Sequence, residues 1–193
     1  MAKKKYEFKP DKLASGVLNK LYMTKKQRMS VLRWVLFSLV LLVTSLLQDV
    51  ILSHMDIFGA TTDLVPCAII MISVLLGSDR CCIFALISSI MYQFSGSGPG
   101  YHAVAIITLF CIFGAMFRQI YLHRGFFSCL LCSAVLVMVY EMIIFFVALF
   151  LGQTMFSRIL VPVFTGVLTI LTLPLYYFIA NAIDKIGGDQ WND

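Results

Sequence analysis

Residues 34–52 read WVLFSLVLLVTSLLQDVIL, a run without Lys or Arg. It has about the ~20 apolar residues that a helix needs to cross the hydrocarbon core of a bilayer. Gln48 and Asp49 sit close to its far end. The rest of the chain matches that reading: of 193 residues, 60% are hydrophobic and 13% charged, where soluble domains run near ~25% charged. Lipid is the solvent that suits this balance. Apolar segments follow one another too closely for a soluble domain to fit between them. The expected organisation is a basic tail over residues 1–33, a membrane domain over 34–184 and a short tail over 185–193.

Upstream of the first span, residues 1–33 hold ten Lys/Arg against Glu7 and Asp11, whereas the remainder holds five Lys/Arg against eight acids. This tail is too long and too basic for a cleavable signal, and no small-residue cleavage site follows the apolar run, so the run reads as a retained signal-anchor helix. Leu13, Val17 and Leu21 recur at helical spacing beside Lys12, Lys20, Lys25, Lys26 and Arg28. That pattern suits an interfacial helix on anionic lipid, worth ~1 kcal/mol per basic residue near the surface. A bare topology signal, or docking to an acidic protein face, fits the same residues. Nucleic acid is not an expected partner.

Downstream, a polar stretch leads into a second apolar run over 64–76, with Asp63 placed to cap the helix and Pro66 tolerable in its first turn. The turn Gly77-Ser78-Asp79-Arg80 follows, then a third run over 81–94 that the sequence SGSGPG at 95–100 ends. Both runs are short for a bilayer. Two short helices that borrow flanking residues and thin the bilayer, or a re-entrant hairpin shielded by protein, account for them, and two short helices are the favoured reading. Three clearer spans occupy 101–117, 126–151 and 159–182. Pro174 in the last leaves the Ile170 carbonyl without its usual donor, so a kink is expected there, with the Thr169 or Thr172 hydroxyl able to compensate. The fold class is thus all-α, an integral membrane bundle of six transmembrane helices, the second and third short.

Fourteen of the fifteen Lys/Arg fall on one side if the tail is cytoplasmic, with only Arg158 outside. The positive-inside rule then puts both termini in the cytoplasm of a multi-pass protein.

Glu141 lies near the middle of the fifth span, where a charged carboxylate costs at least ~2.5 kcal/mol on insertion scales. Ala134, Val137, Phe145 and Ala148 share its stripe, so it is expected to face other helices, with Thr165 and Thr169 at comparable depth. A protonated carboxyl bonded to a neighbour is the plain reading; an ion, ligand or proton-transfer role is the functional one. Asp49, Asp56, Asp63 and His54 cluster at the outward ends of the first two spans, but not at the spacing of a recognised metal site. The six cysteines all fall in or beside apolar segments and read as reduced, packed thiols, including the CxxC of Cys129 and Cys132. No Gly-rich phosphate loop, GxSxG or HExxH occurs. No catalytic residue, cofactor or metal is expected, and the chain does not read as an enzyme. Small residues four apart, Ser73/Gly77, Ala85/Ser89 and Cys111/Ala115, favour close helix contact.

The order of features carries a resemblance. A first span ending LLQDVIL, then FGATTDLVPCAII, VLLGSDR, SSIMYQFSGSGPGYHAV and a late Arg-then-Pro final helix resemble the rod shape-determining membrane protein MreD family. The matching positions are Gln48, Gly59, Asp63, Leu64, Gly77, Ser95, Gly96 and Gly100. Thr62 stands where that family has proline, and Gln93 or a near neighbour where it has an acid. The resemblance covers about residues 34 to 182. It implies a non-enzymatic scaffold of cell-wall elongation in the bacterial cytoplasmic (inner) membrane, binding MreC. Through MreC it would connect to MreB filaments, a RodA-type glycosyltransferase and a class B penicillin-binding protein. The architecture is also similar to the S components of energy-coupling factor vitamin transporters, in which the outer loops and Glu141 would line a small-molecule pocket. That alternative prefers an Ala-xxx-Ala face on helix one, and here Ser38, Thr44 and Ser45 stand among Leu and Val.

Overall fold

The computed structural model describes residues 25–50, 61–96, 98–121 and 125–186, and these form helices and turns without a strand. Six α-helices follow in order: α1 Lys25–Val50, α2 Leu64–Leu76, α3 Ser78–Phe94, α4 Tyr101–Tyr121, α5 Phe126–Phe150 and α6 Leu160–Ile186. A 3-10 turn, Phe156–Arg158, precedes α6. The helices α1, α4, α5 and α6 are each long and apolar enough to cross a membrane, so the chain is a multi-pass membrane protein. The interfacial segment around Leu13 to Leu21 lies outside the described residues.

Helix α1 begins nine residues before Trp34 and runs without a break from the basic stretch into the apolar span. Lys, Arg and Leu are all good helix formers, so nothing local stops it at the edge of the apolar run. Arg33, at that edge, is only 5% exposed. It is ion-paired with Asp184 near the end of α6, and its guanidinium lies 5.7 Å from the centre of the Phe37 ring. This pairing defines a basic end of the bundle, where α1 begins, α6 ends and Arg118 donates to the carbonyl of Val74.

Helix α2 is the centre of the fold. Every residue from Leu64 to Leu76 except Leu75 is buried, and α2 touches all five other helices. A helix apolar on every face has to be surrounded. Its 13 residues span about 20 Å, well short of the ~30 Å hydrocarbon core. Its last turn reaches the basic end, beside Arg118. Its head starts part-way into the bundle, beside Thr169, which lies about 13 Å along α6 from Leu160. The α2–α3 turn at Gly77, where φ is +83°, is therefore level with the last turns of α4 rather than in mid-bundle. That is the geometry of two short helices.

The small residues of α3 and α4 make contacts within the chain. Ala85, Ser89, Cys111 and Ala115 are all buried, the Ser89 and Thr108 hydroxyls are 3.2 Å apart, and the Cys81 thiol donates to the Cys111 carbonyl at 3.2 Å. Phe84 of α3 packs against Trp34 and Phe37 of α1. Large apolar side chains such as Leu39, Ile87, Phe113, Leu131 and Leu171 point outward, as a lipid-facing surface requires. Five of the six cysteines are buried, Cys82 is exposed, and all are free thiols. Pro174 sits inside a continuous α6. The Thr172 hydroxyl donates to the Thr169 carbonyl and the Thr169 hydroxyl to the Thr165 carbonyl, so neither is spent on Ile170.

Candidate functional site

The site is built at the head of α2. A helix leaves its first four backbone N–H groups without intrahelical partners, and in apolar surroundings each has to be met by protein. Asp63 occupies the N-cap position but makes no side-chain capping bond. This corrects the expectation that Asp63 caps the helix. Instead the cap comes from another helix: the Gln48 Oε1 of α1 accepts from the Val65 N–H at 2.9 Å. The Thr169 hydroxyl of α6 accepts from the Asp63 N–H at 3.2 Å. Pro66 has no N–H to satisfy. Three of the four orphan positions are thus accounted for by residues 48, 169 and 66. Among the described residues, the Asp63 carboxylate receives the Gln48 Nε2 at a long 3.4 Å.

Around this head stand groups from three further elements. Tyr92, near the end of α3, is buried and within hydrogen-bonding reach of Gln48. Glu141 of α5 is 6% exposed, and its stem packs against α6, its Cγ lying 3.8 Å from where a Cβ would stand on Gly166. Gly166 lies between Thr165 and Thr169, both buried. Glu141 and Asp63 thus lie against the same stretch of α6, Glu141 at Gly166 and the Asp63 backbone at Thr169. Neighbouring Tyr140 is fully buried. The Tyr140 hydroxyl and the Glu141 Oε1 have no hydrogen-bond partner.

The remaining candidates are dispersed. Asp49 is half-buried near the end of α1. Gly77 makes the α2–α3 turn. Gly96 and Gly100 have φ of +85° and +133°, conformations that side-chain-bearing residues rarely adopt. A Cβ on Gly100 would stand 2.7 Å from the His102 ring, and one on Gly98 2.6 Å from Gln93 Oε1. The glycine-rich turn therefore gives room to two polar side chains rather than to a phosphate. Pro174 is away from the cluster, one turn beyond Ile170 on α6. Gly59, His54 and Asp56 lie outside the described residues. Among the described residues, no group of three or more His, Cys, Asp or Glu is placed to hold a metal ion.

Sequence reasoning singled out Gln48, Asp63 and Glu141 but missed Tyr92 and Tyr140. Aromatic residues inside apolar runs carry no linear signal of a polar role, and only the convergence of α3 and α5 on the head of α2 reveals one. Comparison of the chain with protein-family models, curated proteins and solved structures finds no match.

Proposed function

We propose that this protein is a non-enzymatic membrane scaffold of the bacterial cell-wall elongation machinery, similar to the MreD family. It would sit in the cytoplasmic membrane with the basic end and both termini in the cytoplasm. It would contribute to rod shape by binding MreC and, through it, MreB filaments, a RodA-type glycosyltransferase and a class B penicillin-binding protein. Anionic lipid would gather at the basic tail. The observation that supports this reading is that Gln48 and Asp63, two positions on which the resemblance rests, form one device. Gln48 bonds both Val65 and Asp63, and so ties α1 to the buried central helix. A pattern that would otherwise be scattered sequence matches thus has a single structural use.

Affinity purification from mildly solubilised membranes tests the proposal. Recovery of MreC or wall synthases is the expected result, and depletion in a rod-shaped host is expected to round the cells. Recovery of energising ATPases instead would overturn the scaffold in favour of an S component of an energy-coupling factor transporter. The buried, unpartnered Tyr140 and Glu141 favour that second reading, since a small molecule needs such groups. The exposed face of α1 disfavours it, because bulky Val35, Leu39, Leu42 and Leu46 leave no small-residue docking strip.

A further inference from the structure

The lipid-facing surface of the bundle is not of one height. Helix α3 packs on α1, α2 and α4 and turns Ile83, Ile87, Met91 and Phe94 outward, each more than half exposed. At helical spacing these four make a single stripe. Arg80 lies at one end of it, and the exposed Ser95 and Gly96 of the glycine-rich turn lie at the other. The apolar stretch between these polar ends, residues 81–94, rises only about 21 Å. On α6 the stretch from Leu160 to Ala182 rises about 35 Å, and α5 rises about 38 Å. Both exceed the ~30 Å hydrocarbon core, and tilt takes up the excess. Tilt does not help α3, because it only lowers the height that a helix spans. Helix α2 is shorter still, but it is enclosed by protein and asks nothing of the lipid.

The turn after α3 makes this shortfall costly. Irregular backbone is not tolerated against hydrocarbon, because nothing there meets its N–H and C=O groups. Gly96 and Gly100 hold this turn at positive φ. The other end of the hairpin is tied to the basic end, where Arg118 of α4 donates to the Val74 carbonyl just before the Gly77 turn. The glycine-rich turn would then stand about 9 Å inside an undistorted core. Helix α4 repeats the limit, since only about 25 Å separate Tyr101 from Arg118.

We propose that the outer face of the α3–α4 hairpin is a lipid-binding face of reduced hydrophobic thickness, which thins the bilayer beside it and is matched by phospholipid with shorter chains than α5 and α6 take. Lipid rather than a partner helix is the occupant, because the stripe is bulky and apolar throughout, whereas helices approach one another over small residues. The small residues of α3, Ala85 and Ser89, are buried, with the Ser89 hydroxyl 3.2 Å from that of Thr108 on α4. The face is independent of which proteins the bundle holds.

The test places nitroxide spin labels on the full chain in phosphatidylcholine vesicles, one on native Cys82 and, in a second sample, one on Phe94→Cys with Cys82→Ala. Both positions are exposed and the other cysteines are buried, so neither label displaces a packed side chain. The two positions lie about 18 Å apart along α3, so an undistorted ~30 Å core submerges at least one of them, whatever the tilt or height of the bundle. Collision with a water-soluble nickel chelate, and with oxygen, which dissolves in hydrocarbon, is compared in dimyristoleoyl and dioleoyl vesicles. Both labels should keep at least about half of their nickel collision rate when the longer chains replace the shorter. A larger loss at either label, or contact with oxygen alone in both lipids, means that the bilayer has not thinned and overturns the proposal. A label shielded from both nickel and oxygen means that protein covers the face, which overturns it too.

Discussion

At the basic end, charge is answered by another helix: Arg33 of α1 pairs with Asp184 of α6, and Arg118 of α4 donates to the Val74 carbonyl of α2. In the opposite half, no basic side chain among the described residues is ion-paired with Asp63 or Glu141, and Glu141 Oε1 and the Tyr140 hydroxyl have no hydrogen-bond partner. The two halves share helices, apolar composition and packing, so the difference lies in what closes each. The basic end is held by an ion pair and a cross-helix hydrogen bond, although Arg33 Nε and Ser73 Oγ there are themselves without partners. The other half holds a carboxyl and a phenol, on Glu141 and Tyr140, buried without partners, which is costly in a membrane interior.

Breaking the closed end should have the largest effect. Asp184→Ala strands the buried guanidinium of Arg33 and should destabilise the bundle by on the order of 3 kcal/mol, read as a lower Tm in detergent. Adding Arg33→Leu to it should recover part of that loss, and a double variant no better than the single one would mean that the pair is not what closes this end.

At the head of α2, Gln48→Leu leaves the Val65 N–H buried without an acceptor and should cost about 2 kcal/mol. Amide exchange at Val65 should accelerate with it. By contrast Asp63→Asn, which removes no cap, should cost less than Gln48→Leu. The reverse order would restore Asp63 as the capping residue and dissolve the contrast drawn between the two residues.

A smaller effect is expected at the turns. Gly77→Ala meets no atom within 4 Å but places a side chain at φ +83°, a conformational penalty of about 1 kcal/mol. Gly100→Ala adds a clash with the His102 ring and should lose more than Gly77→Ala in the same unfolding measurement. Ser89→Ala should be the mildest, about 0.5 kcal/mol, because the Thr108 hydroxyl it bonds keeps the Val104 carbonyl.

Much of this was legible in the chain. The apolar run over 64–76 coincides with α2, because Pro66 in its first turn and Gly77 at its end are local signals, although the cap expected of Asp63 is supplied by other helices. The start of α1 was not legible: hydropathy marks where lipid begins, not where a helix does, and Lys25 to Arg33 are helical without being apolar. Glu141 stood out because a carboxyl in an apolar span is rare. Its proximity to Asp63, 78 positions earlier in sequence, depends on α6 carrying Gly166 and Thr169 on one face, and no linear period reports that.

The sequence by itself determined the solvent, the six helical segments, their shortness at the second and third, and the concentration of positive charge at one end. These follow from composition and local backbone chemistry, which act over a few residues at a time. Only the tertiary structure decided that the short second helix is the buried centre. Once its head lies inside the bundle, its N–H groups must be met by whatever neighbouring helices bring, here Gln48 and Thr169. The same burial leaves Glu141 Oε1 and the Tyr140 hydroxyl without a hydrogen-bond partner.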